Sequence, residues 1–307
     1  MKSEEIIVGE GTDYPLEGRL VLPDSQDGSF PAVVLVHGSG ASNMDERIYK
    51  LTPFKDLAMG LAEGGIASIR YNKRTFIYRR KMRKQTVTVR EETIEDAIRA
   101  AELLRSDPRI DPDKVFIIGH SMGAMLAPRI DAEGGNFRGL ILMAGTPSRL
   151  EEILVRQFRQ AAQSKGSVMK AFVKLEDRIF SKKFTGLYDL SDDEAKKRKF
   201  AGPATLYYFK EMGIKTAADY LKETDKPVLI MQGGMDFQVL PSEDFAAFQE
   251  QLQGRSNVEY RLYEDLNHVF VKGIYNDIMK ARKEYNVEQH IDERVIEDIS
   301  EFILRNA

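Results

Sequence analysis

The stretch KVFIIGHSMGAM, residues 114–125, constrains this chain more than any other. Its run Val115-Phe116-Ile117-Ile118 has the composition of a fully buried strand, and a glycine, a histidine, a serine and a second glycine then end it abruptly. A strand that turns at once into a helix forces the corner residue into a sparsely populated backbone conformation, tolerated only where its neighbours carry almost no side chain. Gly119 and Gly123 stand two before and two after Ser121, in the pattern G-x-S-x-G, and MGAMLAPRI behind them reads as a helix start that Pro128 should bend or shorten. A corner of this kind holds a serine hydroxyl out for chemistry. Five residues alone also suit an ordinary small-residue turn, so the rest of the chain decides.

Around this corner the chain alternates between two periodicities. Strand patterns occur in EEIIVG, LEGRLVLP, PAVVLVHGSG, IASIRYN, GLILMAG, PVLIMQGG and VEYRLYE. Helical patterns lie between them, the clearest being TVREETIEDAIRAAELLRSDP, where Thr88 and Glu91 have capping-box spacing and Ile94, Ala97, Ile98, Ala101 and Leu104 form one apolar stripe. Strands alternating with helices predict an α/β fold with a largely parallel sheet covered on both faces and an antiparallel start. Residues 147–225 break the rhythm: they are charged, helical in pattern and without a convincing strand. We expect residues 1–146 and 226–307 to form the core and 147–225 an inserted helical cap over the carboxyl ends of the strands, where open α/β sheets bind ligands.

A serine hydroxyl needs a base to take its proton, and the base needs an acid to orient it. The chain has four histidines. His37 and His120 belong to tight glycine-containing turns, where local duties are expected, and His290 lies in the charged tail NVEQHIDER. His268, in EDLNHVF, follows the last strand and is the candidate base. Two acids compete. Asp236, in QGGMDFQV, follows a strand at the same sheet edge; Asp265 lies three residues before His268, so the chain would have to fold back for its carboxylate to reach the ring. Asp236 is the better candidate, in the chain order Ser121, Asp236, His268. The developing oxyanion needs two backbone donors. Met122 N–H, at the start of the new helix, should be one, and Ser39 N–H in the glycine-rich loop VHGSGASNMDE the other. Read alone, HGSG is also an ordinary strand-to-loop turn; as a phosphate cradle it lacks the lysine and spacing of a P-loop.

With LVHGSG, GHSMGAM, GGMDFQV and LNHVF in this order, the chain resembles the α/β-hydrolase superfamily from residue 16 onward, the cap excepted. HGSG followed by an acid, RYNKRT, GHSMGAMLAPRI and a long segment after the candidate histidine make it similar to a bacterial carboxylesterase branch. The resemblance implies hydrolysis of carboxylic esters through an acyl-enzyme, with no metal and no cofactor. Thioesterase or peptidase activity on the same fold, or ligand binding without catalysis, are the alternatives. Where many relatives carry an aspartate and then an arginine-glycine pair after the fourth strand, this chain has Tyr71-Asn72-Lys73-Arg74, so loop geometry there should differ.

The remaining signals narrow the partners. A net charge of −3 in 307 residues gives no sequence-wide attraction to nucleic acid or membrane. There are no cysteines, hence no disulfides and no thiolate chemistry, which fits a reducing compartment. MKSEEIIVGEG has no apolar signal region, and the expected location is the cytoplasm. Lys73, Arg74, Arg79, Arg80, Lys81, Arg83 and Lys84 crowd twelve positions and read as a solvated loop, or as an electropositive rim for acidic esters. Tyr207, Tyr208 and Phe209 are either cap core or the wall of an acyl pocket.

Overall fold

The computed structural model describes residues 1–24, 29–163, 182–201 and 204–307. Eight strands form one sheet: β1 (Lys2–Val8), β2 (Leu16–Leu22), β3 (Phe30–Val36), β4 (Ala67–Tyr71), β5 (Ile110–His120), β6 (Leu140–Met143), β9 (Val228–Gly233) and β10 (Val258–Tyr263). Their spatial order is β1-β2-β4-β3-β5-β6-β9-β10. Strands β1 and β2 pair antiparallel, as do β2 and β4, while every pairing from β4 through β3 to β10 is parallel. This is the α/β arrangement with an antiparallel start that the alternating patterns predict.

The central strands are apolar on both faces because both faces are covered. In β3, Val33 and Leu35 join one core cluster while Ala32, Val34 and Val36 join the other; in β5, Phe116 and Ile118 alternate in the same way with Val115 and Ile117. The first cluster is closed by Phe54, Leu57 and Leu61 of the helix Pro53–Glu63 and by Val295, Ile299 and Phe302 of the helix Glu293–Asn306. The second is closed by Ala97, Ala100 and Leu104 of the helix Glu95–Ser106 and by the helix Met122–Ile130. Each such large side chain, fully buried, stabilises the fold by about 1.5–3 kcal/mol. The helix Glu95–Ser106 begins as expected near Thr88, whose backbone N–H donates to Glu91 Oε2 at 2.7 Å, but a wider π turn, Arg90–Ile94, precedes its regular part.

Strand β4 lies on one side of β3 and β5 on the other, so the loops leaving β3 and β5 diverge at their carboxyl ends and open a crevice there. Residues 147–225 run between β6 and β9, which are neighbours in the sheet. The helices Leu150–Gln163 and Leu206–Gly213 agree with the helical pattern; residues 164–181 of the expected helical stretch lie outside the described residues. One feature differs from expectation. The short strands β7 (Lys199–Ala201) and β8 (Ala204–Thr205) pair antiparallel in a segment whose charge pattern shows no strand. Near the end of this segment the helix Ala217–Leu221 packs on the helix Met122–Ile130. No helix among the described residues is long and apolar enough to cross a membrane.

Candidate active site

The corner at Ser121 has the conformation its neighbours foretell. Ser121 adopts φ 54° and ψ −116°, a region that a residue with a side chain rarely occupies, and its N–H is tied to Met143 O at 2.9 Å. A Cβ on Gly119 would lie 2.2 Å from Gly123 O, and one on Gly123 would lie 2.1 Å from Val36 O. Both glycines are therefore required by contact with backbone that cannot yield. The helix Met122–Ile130 starts at once behind the serine and contains Pro128.

Asp236 and His268 come from the loops after β9 and β10. The buried Asp236 carboxylate has four partners: Oδ1 accepts from Gln238 N at 2.7 Å and Val239 N at 3.0 Å, and Oδ2 meets Gln232 Nε2 at 2.9 Å and His268 Nδ1 at 2.7 Å. With Nδ1 engaged by the carboxylate, Nε2 is the ring nitrogen left for a second partner. Asp265 lies elsewhere: its half-exposed carboxylate pairs with Arg294 at 3.0 Å. Ser121 and His268 line one cavity of about 190 Å³, together with Ser39, Arg47, His120, Gln238 and Tyr285. No hydrogen bond joins Ser121 Oγ to His268 among the described residues, a looseness common before substrate is bound. A second, smaller cavity of about 60 Å³ also reaches Ser121, lined by Met125, Leu150, Ile153 and Leu154 together with the polar Thr146 and Gln157. Ser39 borders both cavities and Met122 the smaller one. Neither backbone N–H has a hydrogen-bond partner among the described residues.

Sequence reasoning missed a buried polar network around this corner. Glu46 Oε1 accepts from Gly38 N at 2.6 Å, and Glu46 Oε2 lies 2.9 Å from His120 Nδ1, out of line for a hydrogen bond, so that contact acts chiefly through charge. Burial alone would lower the His120 pKa and raise that of Glu46; each charge outweighs burial for the other, so His120 is raised and Glu46 lowered. The other ring nitrogen of His120 hydrogen-bonds to the carbonyl of His268 at 3.0 Å, which makes its reach anything but local. His37 does act locally: its Nε2 meets Asn43 O at 2.9 Å, and burial pushes its pKa down to about 4. On the other side Lys73 Nζ donates to Gly38 O at 2.8 Å and pairs with Glu92 at 2.8 Å.

One expectation needs correction, and one pair of alternatives is narrowed. Lys73 and Arg74 are not part of a solvated basic loop; both are buried, Arg74 in a fork with Asp96 and Glu95. Of the two readings of Tyr207, Tyr208 and Phe209, cap core fits the contacts better than a pocket wall, since among the described residues none of the three lines either cavity at Ser121. The helix Leu206–Gly213 turns Phe209 into a cluster with Phe184 and Phe200, stacks Tyr207 under Lys196, and sends the buried Tyr208 hydroxyl to Glu92 at 2.7 Å. No group of three His, Asp or Glu side chains among the described residues is placed to hold a metal ion.

Residues 33–272 match the model of the alpha/beta hydrolase family. The chain belongs to that family. Esterase EstD of Thermotoga maritima is 36% identical to this α/β-hydrolase over 290 residues, covering 94% of it, and the chain spans 66% of that relative's length. Among solved structures, a Pyrococcus furiosus esterase superposes with a TM-score of 0.58 at 16% identity, covering 99% of this chain and 91% of the other. Est1E from Butyrivibrio proteoclasticus does so with a TM-score of 0.56 at 16% identity, covering 98% of each chain. At such identities the two structures speak for the fold of this α/β-hydrolase.

Proposed function

We propose that this α/β-hydrolase is a serine esterase for carboxylic esters with small acyl groups, working through an acyl-enzyme. The observation that carries the reading is the buried Asp236–His268 pair, which opens onto the cavity that Ser121 lines. In this reading Ser121 Oγ attacks the ester carbonyl as His268 Nε2 takes its proton. Asp236 holds the ring in the tautomer that leaves Nε2 free and stabilises the imidazolium. Ser39 and Met122 N–H groups receive the oxyanion, and His268 returns the proton to the departing alkoxide. Water repeats the sequence to release the acid. The 36% identity to an esterase over most of the chain supports the same activity.

Because His268 must reach the leaving oxygen, the alcohol belongs in the larger cavity, which His268 lines, and the acyl group in the smaller one, beside Met125, Leu150, Ile153 and Leu154. The helix Leu150–Gln163 roofs that acyl site, so residues 147–225 act as the cap over a core of 1–146 and 226–307. A cytoplasmic location, in keeping with a chain free of cysteine, belongs to the same proposal. The test is Ser121→Ala. The variant should fold, lose essentially all turnover of p-nitrophenyl acetate, and no longer take up the fluorophosphonate label that wild type accepts. A folded variant keeping a tenth of wild-type kcat would sink the assignment.

A further inference from the structure

The oxyanion loop is held by two buried charges acting on consecutive peptide planes. Glu46 accepts the N–H of the His37–Gly38 peptide at 2.6 Å, and Lys73 donates to the carbonyl of the Gly38–Ser39 peptide at 2.8 Å. All peptide bonds among the described residues are trans, so the Gly38 carbonyl and the Ser39 N–H point in opposite directions across one rigid plane. An ammonium fixed on the oxygen therefore decides where the Ser39 N–H is aimed. It also draws electron density toward the carbonyl, which strengthens the N–H as a donor.

Lys73 is 2% exposed, and an ammonium so buried persists only with a close counter-charge and good hydrogen bonds. Glu92 provides the first at 2.8 Å, and its other oxygen accepts from Tyr208 OH at 2.7 Å. The same hydroxyl lies 3.5 Å from Met122 Sδ, beside the second proposed donor.

We infer that Lys73 is a positioning residue for the oxyanion site: its ammonium, secured by Glu92 and Tyr208, orients and polarises the Gly38–Ser39 peptide so that the Ser39 N–H faces the transition state. The inference rests on the esterase reading. Because the effect acts on a charge that exists only in the transition state, it should appear in kcat and leave KM nearly unchanged. Deleting an oxyanion donor outright costs about 10²–10³ in kcat, and freeing one to rotate should cost less, about 10- to 100-fold.

Lys73→Met alone would leave the Glu92 carboxylate buried without its counter-charge, so the decisive variant is Lys73→Met/Glu92→Gln, which removes both charges. The reference is the wild type, and Glu92→Gln, which strips the ammonium of its counter-charge but leaves its amine beside Gly38 O, is measured alongside. Three readouts are taken: kcat and KM on p-nitrophenyl acetate, affinity for a trifluoromethyl ketone whose tetrahedral adduct places an oxyanion in the site, and the urea midpoint. We expect the double variant to lose kcat about 10- to 100-fold relative to wild type, to lose ketone affinity in proportion and to keep KM within about threefold, while Glu92→Gln loses kcat by a smaller factor in the same direction. If the double variant does not fold, Lys73→Gln/Glu92→Gln retains a hydrogen-bonded pair and is expected to show the same pattern. A folded double variant with wild-type kcat and ketone affinity would overturn the inference, as would a loss confined to KM or to the urea midpoint. A wild type without ester turnover would overturn the esterase reading and this inference with it. A wild type with turnover, beside an unaffected double variant, would overturn this inference alone.

Discussion

Replacing Asp236 by asparagine separates orientation of the base from its mere presence, and the four hydrogen bonds of the carboxylate say what should happen. Asparagine has two ways to sit. If its amide oxygen stays on the Gln238 and Val239 N–H groups, its NH2 faces Gln232 Nε2 and His268 Nδ1, two groups that donate in the wild type. If it flips, its NH2 opposes two buried backbone donors, which is worse. The first orientation therefore prevails and costs about 1–3 kcal/mol of stability for the buried hydrogen bond lost to Gln232. It also turns His268 Nδ1 into an acceptor and places the ring proton on Nε2, the atom that must take the proton of Ser121. In a serine protease the same aspartate-to-asparagine change lowers kcat by about 10⁴ with the geometry intact. That factor corresponds to about 5.4 kcal/mol of barrier. The assay is kcat on p-nitrophenyl acetate at pH 7.5 with urea unfolding in parallel, using Asp265→Asn for comparison. Asp265 is half exposed with Arg294, so its replacement should change stability by under about 1 kcal/mol and leave kcat alone. A folded Asp236→Asn enzyme within tenfold of wild type, or a larger loss in Asp265→Asn, would refute the reasoning.

The proposed acyl cavity makes a second prediction: kcat/KM should peak from acetyl to butyryl and be low by decanoyl, and Leu150→Ala or Leu154→Ala should move the optimum to longer chains, by about 1–3 kcal/mol per accommodated methylene. Tyr207→Ala should not move it, because that ring lines neither cavity; a chain-length series showing the reverse would place the acyl group elsewhere. A third concerns pH. Native His37 resists protonation until about pH 4, whereas the unfolded chain binds that proton near 6.5, so its share of stability is complete above 6.5 and lost as pH falls toward 4, at up to about 1.4 kcal/mol per unit. His120 is shifted the other way, so its share is present below 6.5 and lost as pH rises through its raised value. Urea midpoints between pH 6.5 and 5 should fall in the wild type and fall less in His37→Gln; equal slopes would rule His37 out as the source.

The sheet was legible because its strands are short runs of residues that suit no other burial, such as Ala32–Val36, closed by His37-Gly38, and Val115–Ile118, closed by Gly119. Asp236 and His268 were legible for a related reason: each follows a strand within a few residues, so its place at the sheet's edge is set locally. What stayed hidden depends on distant partners. Lys73 and Arg74 look like the start of a basic loop, yet Glu92 and Asp96, about twenty residues on, take them into the interior. Composition cannot show that exchange. His120 looked like part of a turn, while its ring reaches Glu46 and the carbonyl of a residue 148 positions away. The aromatic run at Tyr207 left cap core and pocket wall open, while the cavity draws lining from the helix Leu150–Gln163, whose apolar residues are interleaved with charged and amide neighbours.

The place of the insertion in the sheet has a consequence for the order in which the molecule assembles. Leu140 of β6 pairs with Val228 of β9, so the two halves of the sheet meet only by closing a loop that contains the whole segment between them. By loop entropy alone, closing eighty-odd residues costs roughly 2 kcal/mol more than closing ten, and contacts of such separation form late. Ser121 sits in the half assembled from β2 to β6, whereas Asp236 and His268 arrive with β9 and β10. In refolding, ester turnover should therefore return after the far-ultraviolet signal of the first half has recovered, and simultaneous recovery would argue against it. On the proposed reading, the nucleophile is in place first and waits for its base.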